Sequence, residues 1–198
     1  MLSFDDYLKL DINYKNVVNS TLDLQPSSVL CINLKNQKKL EQLIELALKK
    51  GVSKIITSDK VTISNNKVIK FKDYEQVFEH MLHKINPTYK EKNYFGITGT
   101  NGKTTTGHLL NSLIGESSVF VGTIDEDSLF SFTKEEHLTT PKLFNLVKML
   151  SNIDESIQNV VLEVSSHALE QNRLDSLKFK MSGFTNLSQD HLDYHNTM

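Results

Sequence analysis

Residues 96–106 read Gly-Ile-Thr-Gly-Thr-Asn-Gly-Lys-Thr-Thr-Thr, a glycine-rich turn that ends in a lysine and three threonines. Polyphosphate binding needs backbone N–H groups that can approach closely, a cation for the β and γ oxygens, and a hydroxyl for Mg²⁺. Gly99 and Gly102 allow the close approach because they carry no Cβ. Lys103 supplies the cation, and Thr104 supplies the hydroxyl. The stretch predicts a phosphate-binding loop, with an ordinary Gly/Asn turn as the alternative.

This loop departs from the strict P-loop spacing, because Ile97 stands six residues before the lysine, in place of the usual first glycine. It follows a short apolar strand signal, Tyr94–Phe95. The residues after the lysine predict a helix whose N-terminus faces the phosphates. Its apolar positions recur at helical spacing before a terminating glycine; they are Leu109, Leu110, Leu113, Ile114 and Gly115.

The composition is that of a soluble globular chain, with 198 residues, 38% of them hydrophobic, and a formal charge of −2. Lys and Arg are scattered, so no nucleic-acid partner is expected. The N-terminus carries acids where a signal peptide carries bases, and no apolar run is long enough to cross a bilayer. We therefore expect a cytoplasmic protein with no membrane partner. Cys31 is single and lies in an apolar run, which favours a buried strand cysteine over a nucleophile.

The first part of the chain predicts a small α/β domain, residues 1–87, because strand and helix patterns alternate from Val29 onward. Three short apolar runs predict strands, at residues 29–34, 54–57 and 68–71. Two helical faces lie between and after them, with apolar residues at Leu40, Leu43, Ile44 and Ala47, and at Tyr74, Val77, Phe78, Met81, Leu82 and Ile85. Asn86-Pro87 ends the second helix, and the polar residues 88–93 predict a linker.

The alternation resumes in a second predicted domain, residues 88–198. Thr140-Pro141 predicts the cap and first position of a helix with a buried stripe at Leu143, Leu146, Val147 and Leu150. The apolar run Val160–Leu162, which ends on Glu163, is typical of a parallel strand covered on both faces. The predicted fold class is a small N-terminal α/β domain followed by a truncated P-loop-type, mostly parallel α/β ATPase domain. Ligands of such sheets bind at the carboxyl ends of the strands, near Glu163.

Several side chains after these strands are candidates for chemistry. Glu163 is either a solvated acid or a ligand of Mg²⁺. His191 and His195 are four residues apart, a spacing that suits a metal on a helix, although surface histidines at this spacing are usually unrelated. Arg173 is either a fork for a carboxylate or phosphate or a partner in a surface salt bridge. The residues alone leave these alternatives open.

Three phrases together closely resemble the Mur ligase family. They are Gly-Thr-Asn-Gly-Lys-Thr-Thr at 99–105, Glu-Val-Ser-Ser-His at 163–167, and Asn-Leu-Ser-Gln-Asp-His-Leu-Asp-Tyr-His at 186–195. The pattern Ser-Ser-His-x-Leu-x-x-x-Arg from residue 165 resembles the tripeptide-synthetase branch of the family in particular. The resemblance implies an ATP-dependent amide ligase of peptidoglycan precursor synthesis. Such an enzyme joins an amino acid to UDP-N-acetylmuramoyl-L-alanyl-D-glutamate through an acyl phosphate.

The resemblance also implies the cofactors ATP and Mg²⁺ and a role for each matching residue. The ATP phosphates are assigned to Gly99, Thr100, Asn101, Gly102, Lys103, Thr104 and Thr105. Mg²⁺ is assigned to Thr104 and Glu163, with a second ion placed by His191, so that Lys103, Glu163 and His191 form the catalytic set. The UDP-muramoyl dipeptide is assigned to Ser20, Thr139, Thr140, Ser165, Gln171 and Arg173. Ser20 is the one residue that matches the family's uridine-gripping phrase in the first domain.

The family pattern implies more than these 198 residues contain, namely further strands, a carbamylated lysine and a C-terminal domain for the amino acid. We therefore expect a fragment that is inactive alone, with the added amino acid, lysine or diaminopimelate, left open. One alternative is a non-catalytic nucleotide-binding remnant of a Mur-type ligase. Another is a different Mur-like amide ligase, such as folylpolyglutamate or cyanophycin synthetase. A P-loop kinase or GTPase is disfavoured because the loop spacing is wrong and no Asn-Lys-x-Asp phrase is present.

Overall fold

The computed structural model describes residues 2–123 and 138–198, and its contacts divide the chain into two compact units. The first unit ends at Pro87 and the second begins at Thr88. Each unit contains a four-stranded sheet in which every described pair of neighbouring strands is parallel, which confirms the mixed α/β fold class. Within the described residues, no helix has both the length and the apolar character that crossing a bilayer requires.

In the first unit the sheet follows chain order, β1-β2-β3-β4. Its strands are β1 (Val17–Val18), β2 (Val29–Cys31), β3 (Lys54–Ser58) and β4 (Val68–Phe71). Its helices are α1 (Phe4–Leu8), α2 (Gln37–Lys49) and α3 (Tyr74–Ile85). The three predicted strands and two predicted helices are confirmed. The short helix α1 was not predicted, and a capping box between Ser3 and Asp6 begins it.

Helix α2 illustrates how the first unit forms its core. The side-chain oxygen of Asn36 accepts the N–H of Lys39 at 2.9 Å, which caps the first turn. Leu40, Ile44 and Ala47 recur on one helical face and are buried in the hydrophobic core against the sheet. The predicted face of α2 is therefore correct.

Cys31 lies at the end of β2 and is fully buried. Its sulfur is 3.2 Å from the hydroxyl of Tyr74, and burial raises the pKa of the thiol to about 12. A thiol that stays protonated at neutral pH is a poor nucleophile. The prediction of a structural cysteine is confirmed.

The second unit has the strand order β6-β7-β5-β8, so its neighbours in space are not neighbours in sequence. Its strands are β5 (Asn93–Thr98), β6 (Ser118–Val121), β7 (Asn159–Glu163) and β8 (Phe179–Phe184). Its helices are α4 (Lys103–Ile114), α5 (Leu143–Leu150), α6 (Ser166–Glu170) and α7 (Leu192–His195). Ile97 of β5 pairs with Glu163, and Thr98 pairs with Phe184. The carboxyl ends of β7 and β8 therefore flank the loop that follows β5.

Helix α4 forms where it was predicted, but its leucine stripe is not its buried face. Leu109 is 62% exposed and Leu113 is 85% exposed. The helix instead buries Gly107, where an added Cβ would lie 2.2 Å from the ring of Phe120 on β6. Close approach of the helix backbone to β6 therefore decides which face is covered.

The prediction for the start of α5 was wrong. The helix begins at Leu143, with Lys142 at the N-cap, so Thr140 and Pro141 precede it. The Thr140 hydroxyl instead donates to the carbonyl of Glu163 at 2.8 Å and joins the end of β7. The buried face is also wider than the predicted stripe and comprises Phe144, Asn145, Leu146, Val147, Met149 and Leu150.

The predicted linker at residues 88–93 is also more ordered than its polar composition indicates. Tyr89 is fully buried, and its carbonyl accepts a hydrogen bond from the hydroxyl of Tyr94. Lys92 is 7% exposed, and its ammonium group donates to the carbonyl of Ile157. Both hydrogen bonds join the segment to other residues of the second unit, to which the segment therefore belongs.

Candidate active site

The phosphate loop connects β5 to α4 and depends on two glycines in the left-handed region. Gly99 has φ +133° and Gly102 has φ +82°, conformations that L side chains rarely adopt. An added Cβ at Gly99 would lie 2.1 Å from the Thr185 hydroxyl. Gly102 occupies the N-cap of α4, so the helix N-terminus opens directly from the loop. This is the arrangement of backbone N–H groups that suits an anion.

Lys103 reaches back across its own loop. Its ammonium nitrogen lies 2.8 Å from the carbonyl oxygen of Gly99 and 3.0 Å from that of Thr100. Thr105 is exposed in the first turn of the helix. The loop therefore carries a positive charge beside the open end of α4, where a polyphosphate would be stabilised electrostatically.

Glu163 ends β7 and is 2% exposed. Its Oε2 atom accepts the Thr104 hydroxyl at 2.9 Å and the Thr123 N–H at 3.0 Å. The neighbouring Gly122 must lack a Cβ, because an added one would lie 2.7 Å from the same carboxylate oxygen. Sequence reasoning missed Gly122 and Thr123, although both follow an apolar run that ends at the same sheet edge.

The juxtaposed Thr104 and Glu163 fit Mg²⁺ by their chemistry. Mg²⁺ prefers oxygen ligands and usually keeps several waters, with one or two carboxylates and the substrate phosphates completing its shell. Two adjacent protein oxygens beside a phosphate loop meet that requirement. Within residues 2–123 and 138–198, no three His, Cys, Asp or Glu side chains form an all-protein metal cage.

A second group of predicted residues surrounds the end of β7. Thr140 is fully buried, and its hydroxyl accepts the N–H of Ser165 at 2.8 Å. Arg173 donates from Nη1 to the Thr140 carbonyl at 2.8 Å and from Nε to the Gln171 side chain at 2.8 Å. The Thr139 hydroxyl lies 3.3 Å from that of Thr123. Thr139, Thr140, Ser165, Gln171 and Arg173 thus lie together around the end of β7.

Ser20 belongs to the first unit. It is 8% exposed, and its hydroxyl accepts the N–H of Leu22 at 3.2 Å, which forms a local turn. This hydrogen bond of Ser20 is thus local to its own turn.

His191 is the N-cap of the short helix α7 and has a left-handed conformation with φ 50°, and His195 is the last residue of that helix. The ring of His191 lies against that of His167, with a centroid distance of 4.7 Å. The Nε2 atom of His195 is 2.9 Å from the Ser166 hydroxyl. This hydrogen bond occupies one ring nitrogen of His195 and links α7 to the start of α6. Burial, followed by the neighbouring His191 and His195, lowers the pKa of His167.

These elements border a cleft of about 420 Å³. Its lining combines three predicted ATP-site residues, one predicted substrate-site residue and two histidines: Gly99, Thr100 and Lys103, then Ser165, then His191 and His195. Exposed apolar side chains, Phe184 and Leu187, also line it. The cleft thus places Lys103 of the phosphate loop on the same surface as the rings of His191 and His195.

The same part of the chain matches a known family model. Residues 97–198 match the model described as the Mur ligase middle domain. A UDP-N-acetylmuramoyl-L-alanyl-D-glutamate--2,6-diaminopimelate ligase of Alkaliphilus oremlandii is 33% identical over 96% of this chain and 40% of its own length. The ligase of the same name from Rickettsia montanensis is 37% identical over 78% of this chain and 33% of its own. This chain thus spans about 40% or less of the length of these relatives.

Solved structures show the same fold. A structure of a UDP-N-acetylmuramoyl-L-alanyl-D-glutamate--2,6-diaminopimelate ligase superposes with a TM-score of 0.67 at 24% identity, over 99% of this chain and 42% of that one. MurF ligase from Thermotoga maritima, in complex with ADP, superposes with a TM-score of 0.56 at 16% identity, over 92% of this chain and 40% of that one.

Proposed function

This chain belongs to the Mur ligase family, and from that premise we propose that it provides the nucleotide site of an ATP-dependent peptide ligase. The reaction adds the third amino acid to UDP-N-acetylmuramoyl-L-alanyl-D-glutamate during peptidoglycan precursor synthesis. The names of the relatives support this substrate and make 2,6-diaminopimelate the first amino acid to test. The observation that carries the proposal is the contact between Thr104 and Glu163 beside the phosphate loop.

The proposed chemistry needs no protein nucleophile. The terminal carboxylate of the muramoyl dipeptide attacks the γ-phosphorus of ATP, and the bond between that phosphorus and the β–γ bridging oxygen breaks to release ADP. The amine of the incoming amino acid then attacks the acyl carbon of the resulting acyl phosphate. The carbon–oxygen bond to phosphate breaks, and the amine loses a proton. Phosphorylation is required because a free carboxylate has no adequate leaving group.

The residues of this chain would act mainly by positioning and by electrostatics. Lys103 and the N–H groups at the start of α4 would hold the phosphates in place. Thr104 and Glu163 would hold Mg²⁺, which supplies charge neutralisation on the phosphate oxygens when it is bound. His191, which lines the cleft with Lys103, is proposed to assist a second Mg²⁺.

The polar residues at the end of β7 are proposed to bind the muramoyl dipeptide. Arg173 offers a guanidinium beside Thr140, and a guanidinium suits the carboxylates of such a ligand. Ser20 is proposed to contact the uridine nucleotide. A ligase with these substrates would act in the cytoplasm on small molecules, without a nucleic-acid or membrane partner.

Isothermal titration calorimetry on the purified chain tests the proposal. We expect Mg-ADP to bind, and Lys103→Ala to weaken that binding at least about tenfold because a charged contact is lost. Binding of UDP-N-acetylmuramoyl-L-alanyl-D-glutamate, compared with a folate, tests the substrate class. An unmodified chain that is folded but binds neither Mg-ADP nor the UDP-muramoyl dipeptide would contradict the proposal.

A further inference from the structure

The segment that follows β8, residues 185–188, is called the strap. Hydrogen bonds connect the phosphate loop to this segment. The N–H of Thr100 donates to the carbonyl of Asn186 at 2.9 Å. The hydroxyl of Thr100 accepts the N–H of Ser188 at 2.9 Å and lies 3.1 Å from the carbonyl of Ser188. The middle of the loop is therefore fixed to a segment more than eighty residues away in the sequence.

Two further hydrogen bonds join Asn101 of the loop to the side chain of Asn186. The side-chain oxygen of Asn186 accepts the N–H of Asn101 at 3.1 Å, and its side-chain nitrogen donates to the carbonyl of Asn101 at 2.8 Å. The hydroxyl of Thr185 donates to the same carbonyl at 2.7 Å. An asparagine side chain provides both the donor and the acceptor that this pairing needs.

The strap also fits closely against Gly99. An added Cβ at Gly99 would lie 2.1 Å from the Thr185 hydroxyl and 2.9 Å from the Asn186 carbonyl oxygen. The loop and the strap are thus in direct contact as well as hydrogen-bonded.

These contacts divide the N–H groups of the loop into two sets. Those of Thr100 and Asn101 already donate to Asn186, so they are engaged by the protein itself. The N–H groups from Gly102 onward lie at the N-terminus of α4, where an anion is normally bound. The two sets are consecutive in the chain, because Asn101 directly precedes Gly102.

We propose that Asn186, supported by Thr185, is a positioning residue for nucleotide binding, an inference that rests on the ATP-binding role proposed above. It holds Thr100 and Asn101 in the shape that directs Lys103 and the start of α4 toward the phosphates. Neither Asn186 nor Thr185 has to touch the nucleotide. The role is preorganisation, because a loop that is already ordered loses less entropy when the ligand binds.

Calorimetric titration of the 198-residue chain with Mg-ADP tests the proposal. We expect Asn186→Ala to weaken binding about tenfold, since two hydrogen bonds to the loop are lost. Thr185→Val should also weaken it, whereas Thr185→Ser, which retains the hydroxyl, should bind within about twofold of the unmodified chain. Gln189→Ala is the matched control, because Gln189 is an exposed amide side chain just beyond the strap. Equal affinity of the Asn186→Ala and Gln189→Ala variants would overturn the proposal.

Amide hydrogen exchange without nucleotide separates failure of this inference from failure of the proposed function. Asn186→Ala should speed the exchange of the Asn101 N–H, while Gln189→Ala should not. An unmodified chain that does not bind Mg-ADP would contradict the ATP-binding role and, with it, the positioning role of Asn186. Binding by the unmodified chain, combined with unchanged exchange at Asn101 in the alanine variant, would overturn the positioning role alone.

Discussion

The hydroxyl of Thr104 donates a 2.9 Å hydrogen bond to the carboxylate of Glu163, although 59 positions separate the two residues in the sequence. Parallel pairing of β5 with β7 produces this contact, because Ile97 and Glu163 are register partners at the ends of their strands. A hydroxyl and a buried carboxylate thus meet at the start of α4.

Replacement of Glu163 by Gln should weaken the binding of Mg-ADP by about tenfold or more, because the neutral amide is a poor ligand of Mg²⁺. Binding of ADP in the presence of EDTA should change little. Calorimetry with and without Mg²⁺ measures the difference, and Glu155→Gln, at an exposed acid, is the control. Equal loss of affinity with and without Mg²⁺ would argue against a metal-holding role for Glu163.

Replacement of Tyr194 by Phe should weaken the binding of the UDP-muramoyl dipeptide without changing the binding of Mg-ADP. The Tyr194 hydroxyl donates to Glu170 at 2.6 Å and accepts from Gln171 at 2.9 Å, and Gln171 in turn accepts from Arg173. Loss of this hydroxyl should weaken binding of the UDP-muramoyl dipeptide about threefold to tenfold, since the restraint on Arg173 is lost. Mg-ADP affinity, measured on the same sample, should stay the same. A parallel loss of both affinities would indicate a general structural effect instead.

Replacement of Gly107 by Ala should destabilise the second unit by about 1–3 kcal/mol, because the new methyl group would overlap the ring of Phe120. The sign of this change in the free energy of unfolding is informative, because replacing glycine by alanine at an exposed helical site would stabilise the protein by about 1 kcal/mol. Urea unfolding measures the effect. The double variant with Phe120→Leu should recover part of the loss, and the exposed Ser112→Ala should be nearly neutral. An unchanged unfolding midpoint in Gly107→Ala would show that the helix can move away at little cost.

His80 should make the first unit less stable as the pH falls. Burial, and then the nearby charges of Lys84 and His83, lower the pKa of His80 from its usual 6.5. Its ring packs against Phe4 and Tyr7. At His80 the unfolded chain therefore binds a proton at a higher pH than the folded chain. The stabilisation of the folded state by neutral His80 is fully present above about pH 6.5 and is lost as the pH falls below that value.

Nuclear magnetic resonance titration of the His80 ring should give a midpoint below 6.5. The variant His80→Phe keeps an aromatic ring beside Phe4 and Tyr7 but cannot bind a proton. Its loss of stability between about pH 7.5 and about pH 5.5 should be smaller than that of the unmodified chain. A midpoint at or above 6.5 would contradict the prediction.

The sequence was sufficient to predict elements whose signals are local. The loop around Gly99 and Gly102 was found from residue types alone, and the buried face of α2 followed from its spacing. The position of Glu163 at the carboxyl end of its strand followed from a buried apolar run that ends on an acid. Each of these inferences needs only nearby residues and a general rule of sheet architecture.

The remaining features depend on contacts between distant segments. The helical spacing of Leu109 and Leu113 predicted α4 but not that both side chains are exposed, because the fit of Gly107 against Phe120 decides how α4 packs. Thr140 was assigned to a helix start, yet its hydroxyl joins the end of β7. Helical periodicity and capping preferences carry no information about such partners, so these errors could not be corrected from one sequence.

The link between the phosphate loop and the strap also has a consequence for folding kinetics. Residues 99–105 contain the whole binding motif, but the partners of Thr100 and Asn101 are synthesised more than eighty residues later. A chain that stopped before residue 185 would contain all residues of the motif and still lack those hydrogen-bond partners. We therefore expect the loop to reach its final shape late in folding, after β8 has joined the sheet, since contacts of such long sequence separation are slow to form.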